Sequence, residues 1–168
     1  MATINQFKAN LVGAGPRNNR FEVYIPRTGS KIQFLCKTAS LPGQVIEAQE
    51  IKYKGLTVKL AGDRTFENWT VGVYNDTDFS VRNGIEAWMQ EIVPLDSSVG
   101  PTGFEYMVDK ASVSQLGRDD SVIATYEFFN MWPVNLGVIE LDSEGASELE
   151  QFTIEFAYSH FERSGIGS

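Results

Sequence analysis

Apolar and polar residues alternate along much of the chain, and this pattern predicts short β-strands. One such run covers residues 69–73 and another covers residues 152–158, each with its large apolar side chains at every second position. A period of two is typical of a strand with one buried face. The predicted core residues of these two strands are Trp69, Val71, Val73, Phe152, Ile154 and Phe156.

Turn signals between the alternating runs predict three hairpins. Residues 20–38 contain a Pro-Arg-Thr-Gly-Ser turn between two alternating runs, and residues 45–63 turn around Lys54-Gly55. Residues 111–129 turn between Gly117 and Asp120. Strands at such close spacing favour a β-sandwich or barrel.

A helical pattern interrupts the strands at about residues 78–92. Apolar residues recur there at intervals of three and four, which places them on one side of a helix. Asp76, Thr77 and Asp78 offer oxygens for the start of this helix, and Pro94 follows its end. The stripe consists of Val81, Ile85, Trp88 and Ile92, of which Ile85 and Trp88 are predicted core residues.

These elements together predict a mainly β protein, an antiparallel sandwich or barrel with one α-helix. We expect one domain over residues 1–168, because no internal repeat or second core is visible. Residues 1–19 and 163–168 are expected to be less ordered, or to become ordered on assembly. The segment from Pro94 to Phe104 is expected to be a long loop.

Amino-acid composition and net charge narrow the range of possible functions. The 168 residues are 42% hydrophobic and 21% charged, as in soluble globular proteins. No window approaches the roughly 20 apolar residues of a membrane span, and the first residues lack a signal-peptide layout, so we expect no membrane insertion and a start in a cytoplasm. The net charge of -8 argues against ordinary nucleic-acid binding, although it suits a surface that DNA passes without sticking.

The chain offers few residues for catalysis or metal binding. It has one cysteine, Cys36, and one histidine, His160, so it predicts neither a disulfide nor a zinc set. Cys36 lies in a strand-like run and is expected to be structural. Asp63 and Arg64 are either a catalytic acid with a substrate-binding arginine or an ion pair that braces a turn or the register between copies. Because no base or nucleophile accompanies them, we favour the brace and expect neither enzyme activity nor a cofactor.

Four segments, "TASLPG", "LAGDRTFENWTVGVYND", "IEAWMQEI" and "MWPVNLGVIELD", resemble in their order the tail tube proteins of contractile-tailed, T-even-like bacteriophages. The likeness runs from about residue 21 to 158. It implies that six copies form a ring, with sheets joined edge to edge into a larger β-barrel, and that rings stack into the inner tube of a virion tail. The implied partners are further copies, a sheath protein, baseplate and terminator proteins, and double-stranded DNA that passes through without specific binding. A tube of a related contractile injection or type VI secretion system is the alternative.

Within that interpretation, alternation alone selects the lumen candidates, and the turns that border the long strand pair expected to project beyond the ring select the contact candidates. The candidates for the lumen are Glu47, Glu50, Ser112, Ser114, Thr125 and Glu127. The candidates for contacts between rings or subunits are Leu41, Pro42, Gly43, Lys52, Tyr53, Lys54 and Gly55.

Two other function classes remain open from the sequence. A carbohydrate-binding module would use Trp69, Trp88 or Trp132 as a platform, and a small hydrolase would need a partnered carboxylate or histidine. A binding module should be monomeric, whereas a tube subunit should form rings or filaments.

Overall fold

The structure is a computed structural model that describes residues 3–97, 99–145 and 148–165. Its helices are α1 (Ile4–Asn10), α2 (Ile32–Leu35) and α3 (Ser80–Ile92). Its strands are β1 (Phe21–Tyr24), β2 (Cys36–Ala39), β3 (Gln44–Tyr53), β4 (Leu56–Phe66), β5 (Trp69–Tyr74), β6 (Ala111–Leu116), β7 (Val122–Phe129), β8 (Trp132–Leu136), β9 (Gln151–Ala157) and β10 (His160–Gly165).

The strands form two four-stranded sheets and a separate two-stranded ribbon. The first sheet has the order β1-β6-β7-β10, and the second has the order β2-β5-β9-β8. Every pairing is antiparallel. The ribbon consists of β3 and β4, which pair only with each other among the described strands. The mainly β, antiparallel fold with one long helix is as the sequence predicts.

The core lies between the two sheets and α3. All eight residues that the sequence assigns to the core are buried, including Trp69 and Trp88 at 1% exposure each. The Trp69 ring stacks on Phe128 of the first sheet, with 4.4 Å between centroids. Both buried indoles satisfy their N–H groups, Trp69 by donating to the Ser40 carbonyl at 2.7 Å and Trp88 to the Tyr106 carbonyl at 2.6 Å. These hydrogen bonds remove the penalty of burying a polar N–H.

Helix α3 begins two residues later than predicted, and the side chain of one of the three expected capping residues accepts hydrogen bonds at its start. The side chain of Asp76 accepts hydrogen bonds from the Ser80 N–H and hydroxyl, both at 3.3 Å. Val81, Ile85 and Trp88 of the predicted stripe are buried, and Ile92 is partly buried against the core. The helix is therefore fixed by its apolar side.

The predicted hairpin over residues 20–38 is wrong. β1 pairs with β6, and β2 pairs with β5 in the other sheet. The chain between them holds a 3-10 turn at Pro26–Thr28 and the short helix α2. Ile32 and Cys36 are four residues apart, so they lie on the same side of one helical turn as well as on the same face of a strand. Phe34, which a strand would place on that face too, is 79% exposed. Three alternating apolar residues were too few to distinguish a strand from a helical turn.

The two other predicted hairpins are present. β3 and β4 pair around Lys54 and Gly55, and β6 and β7 pair around the turn at residues 117–120. Lys54 and Gly55 have φ values of 48° and 82°, as a two-residue hairpin turn of type I′ requires.

The ends of the chain and the long loop complete the fold. Residues 4–10 form α1, and residues 163–165 belong to β10. Residues 1–2 and 166–168 of the two predicted terminal segments lie outside the described residues. Between α3 and β6 the described residues contain no helix or strand, apart from a single bridge between Val108 and Met131.

Candidate assembly surfaces

The first sheet has one buried and one polar face. Val23, Ala111, Val113 and Phe128 point into the core and are essentially inaccessible. The alternating positions form the second face, which we call the polar face. Its aligned residues are Tyr24, Ser112, Glu127 and Glu162 in one row and Glu22, Ser114, Thr125 and Ser164 in the next. Four of the six predicted lumen residues therefore share this face.

The side chains of the polar face carry hydroxyl and carboxylate groups. Ser114 and Thr125 lie opposite each other, and their hydroxyl oxygens are 2.9 Å apart. Glu127 lies opposite Glu162 on the neighbouring strand, so like charges face each other. The two aligned rows of this face contain no lysine or arginine. Such a surface repels phosphate rather than binding it.

Both outer strands of the first sheet leave one edge unpaired in the described part of the chain. β1 and β10 are the first and last strands of the sheet order. Because the sheet has four antiparallel strands, β1 and β10 run in opposite directions. A copy placed beside β1 would thus offer its β10 edge in the antiparallel sense. Free edges of this kind are templates for pairing with another chain.

The ribbon has an apolar face that the described residues leave exposed. Leu56, opposite Tyr53, is 73% exposed and Tyr53 is 64% exposed. Ile51 and Val58 form the next pair, and Leu60 follows opposite Gln49. Exposed apolar clusters of this size are typical of interaction sites. The opposite face is polar, with Glu50 and Lys59 3.7 Å apart.

The predicted inter-ring residues lie at the two ends of the ribbon. Leu41, Pro42 and Gly43 precede β3 at its base, and the residues from Lys52 to Gly55 form its tip. A strand as long as β3, with ten residues, reaches roughly 30 Å. The two groups therefore lie roughly 30 Å apart.

The structure does not bring Glu47 and Glu50 to the polar face, because both belong to β3 of the ribbon. Glu47 lies at a bulge in the ribbon, between the Ile46 and Ala48 pairs. Their place in a lumen stays a prediction.

Asp63 and Arg64 lie in strand β4 rather than in a turn. Adjacent strand residues point to opposite faces, so the two side chains diverge. Neither takes part in the salt bridges found among the described residues. A brace within the subunit is therefore not observed, while a role in register between copies stays a prediction.

The other candidate catalytic and binding residues lie in surroundings that indicate structural roles. Burial raises the pKa of the Cys36 thiol to about 11, so the thiol is protonated at neutral pH. His160 stacks on Phe129 with 4.8 Å between ring centroids. Trp69 and Trp88 are buried and offer no binding platform. In the described ranges no three His, Cys, Asp or Glu residues are grouped to hold a metal, and no helix there is long and apolar enough to cross a membrane.

Sequence reasoning missed two features of these surfaces. Glu22 and Glu162 belong to the polar face but were not selected. Their alternation with Val23 and Phe161 was the available signal, yet only the pairing of β1 and β10 with the central strands reveals their shared face. Helix α1 was also missed, although Thr3 and Gln6 form a capping box at its start.

The described residues thus form a β-rich subunit with two unpaired sheet edges, a polar sheet face and an exposed apolar ribbon face, which are features of subunits that associate with other copies. Residues 2–164 match the model of the phage tail tube protein family. The chain is 31% identical over 148 residues to tail tube protein gp19 of Enterobacteria phage T4, covering 87% of this chain and 90% of that protein. The chain therefore belongs to the phage tail tube protein family.

Two solved structures share the fold. One is the tube-terminating cap of the anti-feeding prophage, with a TM-score of 0.67, 17% identity, and coverage of 90% of this chain and 91% of that one. The other is the extended sheath-tube complex of an extracellular contractile injection system, PVC, with a TM-score of 0.58, 13% identity, and coverage of 99% of this chain and 100% of that one. This likeness shows that the chain shares its fold with chains of these two assemblies.

Proposed function

We propose that six copies of this chain close into a ring by joining the β1 edge of one copy to the β10 edge of the next. The observation that supports this proposal is the first sheet, with a buried face, a polar face and two antiparallel edges that pair with none of the described strands. Edge pairing satisfies the outward N–H and C=O groups of both strands and removes the aggregation-prone edges.

The ring forms a wall with the polar face towards the bore. Four strands from each of six copies make 24 strands. At ~4.8 Å between strands and tilts of up to about 40°, such a barrel is roughly 35–50 Å across its backbone. Side chains of the polar face line this space, and the acidic and hydroxyl groups let double-stranded DNA pass without being held. The protein is a structural conduit and not an enzyme.

Rings stack into the inner tube of a contractile tail, where the ribbon contacts the next ring. The apolar face of the ribbon supports this role, because burying it against another copy would remove several large side chains from water. The surface away from the bore faces a sheath, and the tube ends meet baseplate and terminator proteins. The chain folds as a single domain in the host cytoplasm before it enters the virion. Genes for sheath, baseplate and capsid beside this one, rather than genes of a secretion apparatus, would favour the phage tail over a related injection system.

Paired cysteines test the ring. In a Cys36→Ala background, Glu22 or Tyr24 of β1 and Glu162 or Ser164 of β10 are replaced by cysteine in all four combinations. The two strands are separated by β6 and β7 in one subunit, about 14 Å, so a disulfide within one chain is impossible. We expect oxidised rings to give a ladder of cross-linked species that ends at six copies.

The edges of the second sheet supply the matched control. Lys37→Cys on β2 and Asn135→Cys on β8 form the corresponding pair. A ladder from this control pair, with none from any β1–β10 pair, would show that the ring closes through the other sheet. Monomers alone by electron microscopy and sedimentation would reject the tube function itself.

A ribbon-tip replacement tests stacking. With residues 52–55 replaced by a neutral Gly/Ser loop, we expect single rings that no longer polymerise, because Tyr53 and its charged neighbours are removed from the next ring. The same replacement of residues 142–145 is the control and should still give tubes. Normal filaments from the 52–55 variant by electron microscopy would contradict the proposed contact.

A further inference from the structure

Helix α1 carries an apolar stripe that is exposed among the described residues of its own subunit. Ile4, Phe7 and Leu11 recur at intervals of three and four, and Ile4 and Phe7 are 74% and 63% exposed. No residue of α1 is buried. A helix of seven residues is marginal in water even with its capping box, so docking against another surface must supply its stability.

The connection from α1 leads to the edge of the first sheet. Gly13, Ala14 and Gly15 all have positive φ values, of 64°, 59° and 73°, which turns the chain sharply after the helix. The segment then enters β1, whose outer edge is unpaired in the described chain. The helix is therefore an arm that leaves the subunit where another copy joins in the proposed ring.

The N-terminal segment that contains this arm, residues 1–21, differs in charge from the rest of the chain. Residues 1–21 contain three of the 14 basic residues, Lys8, Arg17 and Arg20, and none of the 22 acidic residues. The remaining 147 residues hold 11 basic and 22 acidic residues. Residues 1–21 are thus net positive and the remainder of each copy is net negative, and such complementarity favours association between copies.

One groove on the surface fits the stripe. It lies between the C-terminal half of α3 and β8 and has a volume of about 420 Å³. Its lining is mainly apolar, from Met89, Ile92, Val93, Leu95, Trp132 and Val134, while Glu86 is among its few polar groups. Val93 and Leu95 are both exposed in the isolated subunit. The stripe from Ile4 to Leu11 spans about 10 Å along the helix, and Lys8 lies beside it. Glu86 is the carboxylate of the groove lining; its Oε1 accepts from Arg82 Nε at 3.1 Å, and its side chain is 54% exposed, so it is accessible to a second cation.

We propose that α1 docks in the α3–β8 groove of a second copy, with Ile4, Phe7 and Leu11 against the apolar lining and Lys8 towards Glu86. This inference rests on the proposed assembly of copies into a tube. The apolar face of the ribbon is the competing receptor, but its residues from Gln49 to Leu60 carry no carboxylate on that face to pair with Lys8. The groove offers both the apolar surface and the acid.

Disulfide mapping tests the receptor. In the Cys36→Ala background, Asn10→Cys on the flank of the stripe is combined with Gln90→Cys at the groove or with Gln49→Cys on the apolar face of the ribbon. We expect assembled tubes to form the 10–90 disulfide between copies. The pair Ala9→Cys with Gln90→Cys is the control, because Ala9 lies on the opposite side of α1. Cross-linking at Gln49 instead, or equal cross-linking from Ala9 and Asn10, would overturn the proposal, as would assembled tubes with no 10–90 disulfide.

A second measurement uses assembly itself. Phe7→Glu places a charge in the stripe, and Ala9→Glu places the same charge on the opposite side of the helix. We expect Phe7→Glu to raise the critical concentration for tube formation about tenfold or more, and Ala9→Glu to leave it near the parent value. Equal values for the two variants would overturn the docking. Failure of the parent chain to form any ring or tube would instead reject the proposed function.

Discussion

At the scale of single residues, Cys36 illustrates how its surroundings make a nucleophile inert. Its side chain packs against the core and its thiol donates to the Thr38 carbonyl at 3.4 Å. Burial disfavours the charged thiolate and is the larger cause, so it raises the pKa from 9.0 to about 11. Because the thiolate is the reactive form, the thiol is unreactive at neutral pH.

Cys36→Ala and Cys36→Ser should therefore assemble like the parent chain. The folded state holds the thiol proton more tightly than the unfolded state, so this group favours folding below about pH 9 and loses that effect as the pH rises towards 11. Cys36→Ala should accordingly lose less stability than the parent between these pH values, as thermal unfolding can measure. Turnover of a substrate that a thiol-reactive probe abolishes would contradict the structural role.

At the scale of elements, a charged cluster holds the start of α3. Lys31 Nζ lies 3.0 Å from Asp76 and 2.9 Å from Asp78. The hydrogen bond from Lys31 holds the pKa of Asp76 below its ordinary value of 3.8. This cluster joins the segment before α2 to the helix, so it positions α3 against the sheets.

Asp76→Asn should lower stability at neutral pH while keeping the cap, because an asparagine oxygen still accepts from Ser80. A depressed carboxyl pKa contributes stability above the unfolded value, and this is lost as the pH falls through the folded-state pKa. The difference between parent and variant should thus be present at pH 7 and shrink below about pH 4. Denaturant unfolding at both pH values measures it. Asp96→Asn, outside the cluster, is the control, and a difference that persists at pH 3 would contradict the charge argument.

The secondary-structure elements also show how much of the fold could be predicted from the sequence. Long alternating runs with a buried face, such as β5 and β9, were predictable because a single pattern fixed both strand and core. The segment around Ile32 was not, since three apolar residues fit a strand and a helical turn equally well. The polar face was only half predictable: alternation identified Ser112, Ser114, Thr125 and Glu127, but long-range pairing decides which other strands join them. Glu47 fell outside that sheet for the same reason.

At the scale of the whole molecule, the proposed function depends on the electrostatic fields of the individual copies, which add up within a ring. Each copy carries a net charge of -8, and Glu22, Glu127 and Glu162 place three carboxylates on the polar face. Six copies would line one ring with 18 such groups. Screening operates over about 8–10 Å, so a duplex within the bore remains inside the combined field. Phosphates then meet repulsion at every level of the tube.

Reversing this charge should create places where DNA pauses. We expect Glu127→Lys with Glu162→Lys to assemble into tubes and to slow DNA ejection from particles, because each lysine gives phosphate a binding site. Raising the salt concentration should restore much of the rate, since phosphate contacts weaken as counterions compete. The measurement is the time course of DNA release from purified particles.

Two controls separate charge at the bore from charge elsewhere. Glu127→Gln with Glu162→Gln removes the carboxylates without adding a cation, so it should slow ejection less than the lysine pair. Glu144→Lys makes the same reversal in an exposed loop outside the first sheet and should leave ejection unchanged. If tubes with lysines shown to face the bore eject DNA at the parent rate, repulsion by the polar face does not govern passage. In that case bore width alone, set by the number of strands in the wall, would have to keep DNA from binding.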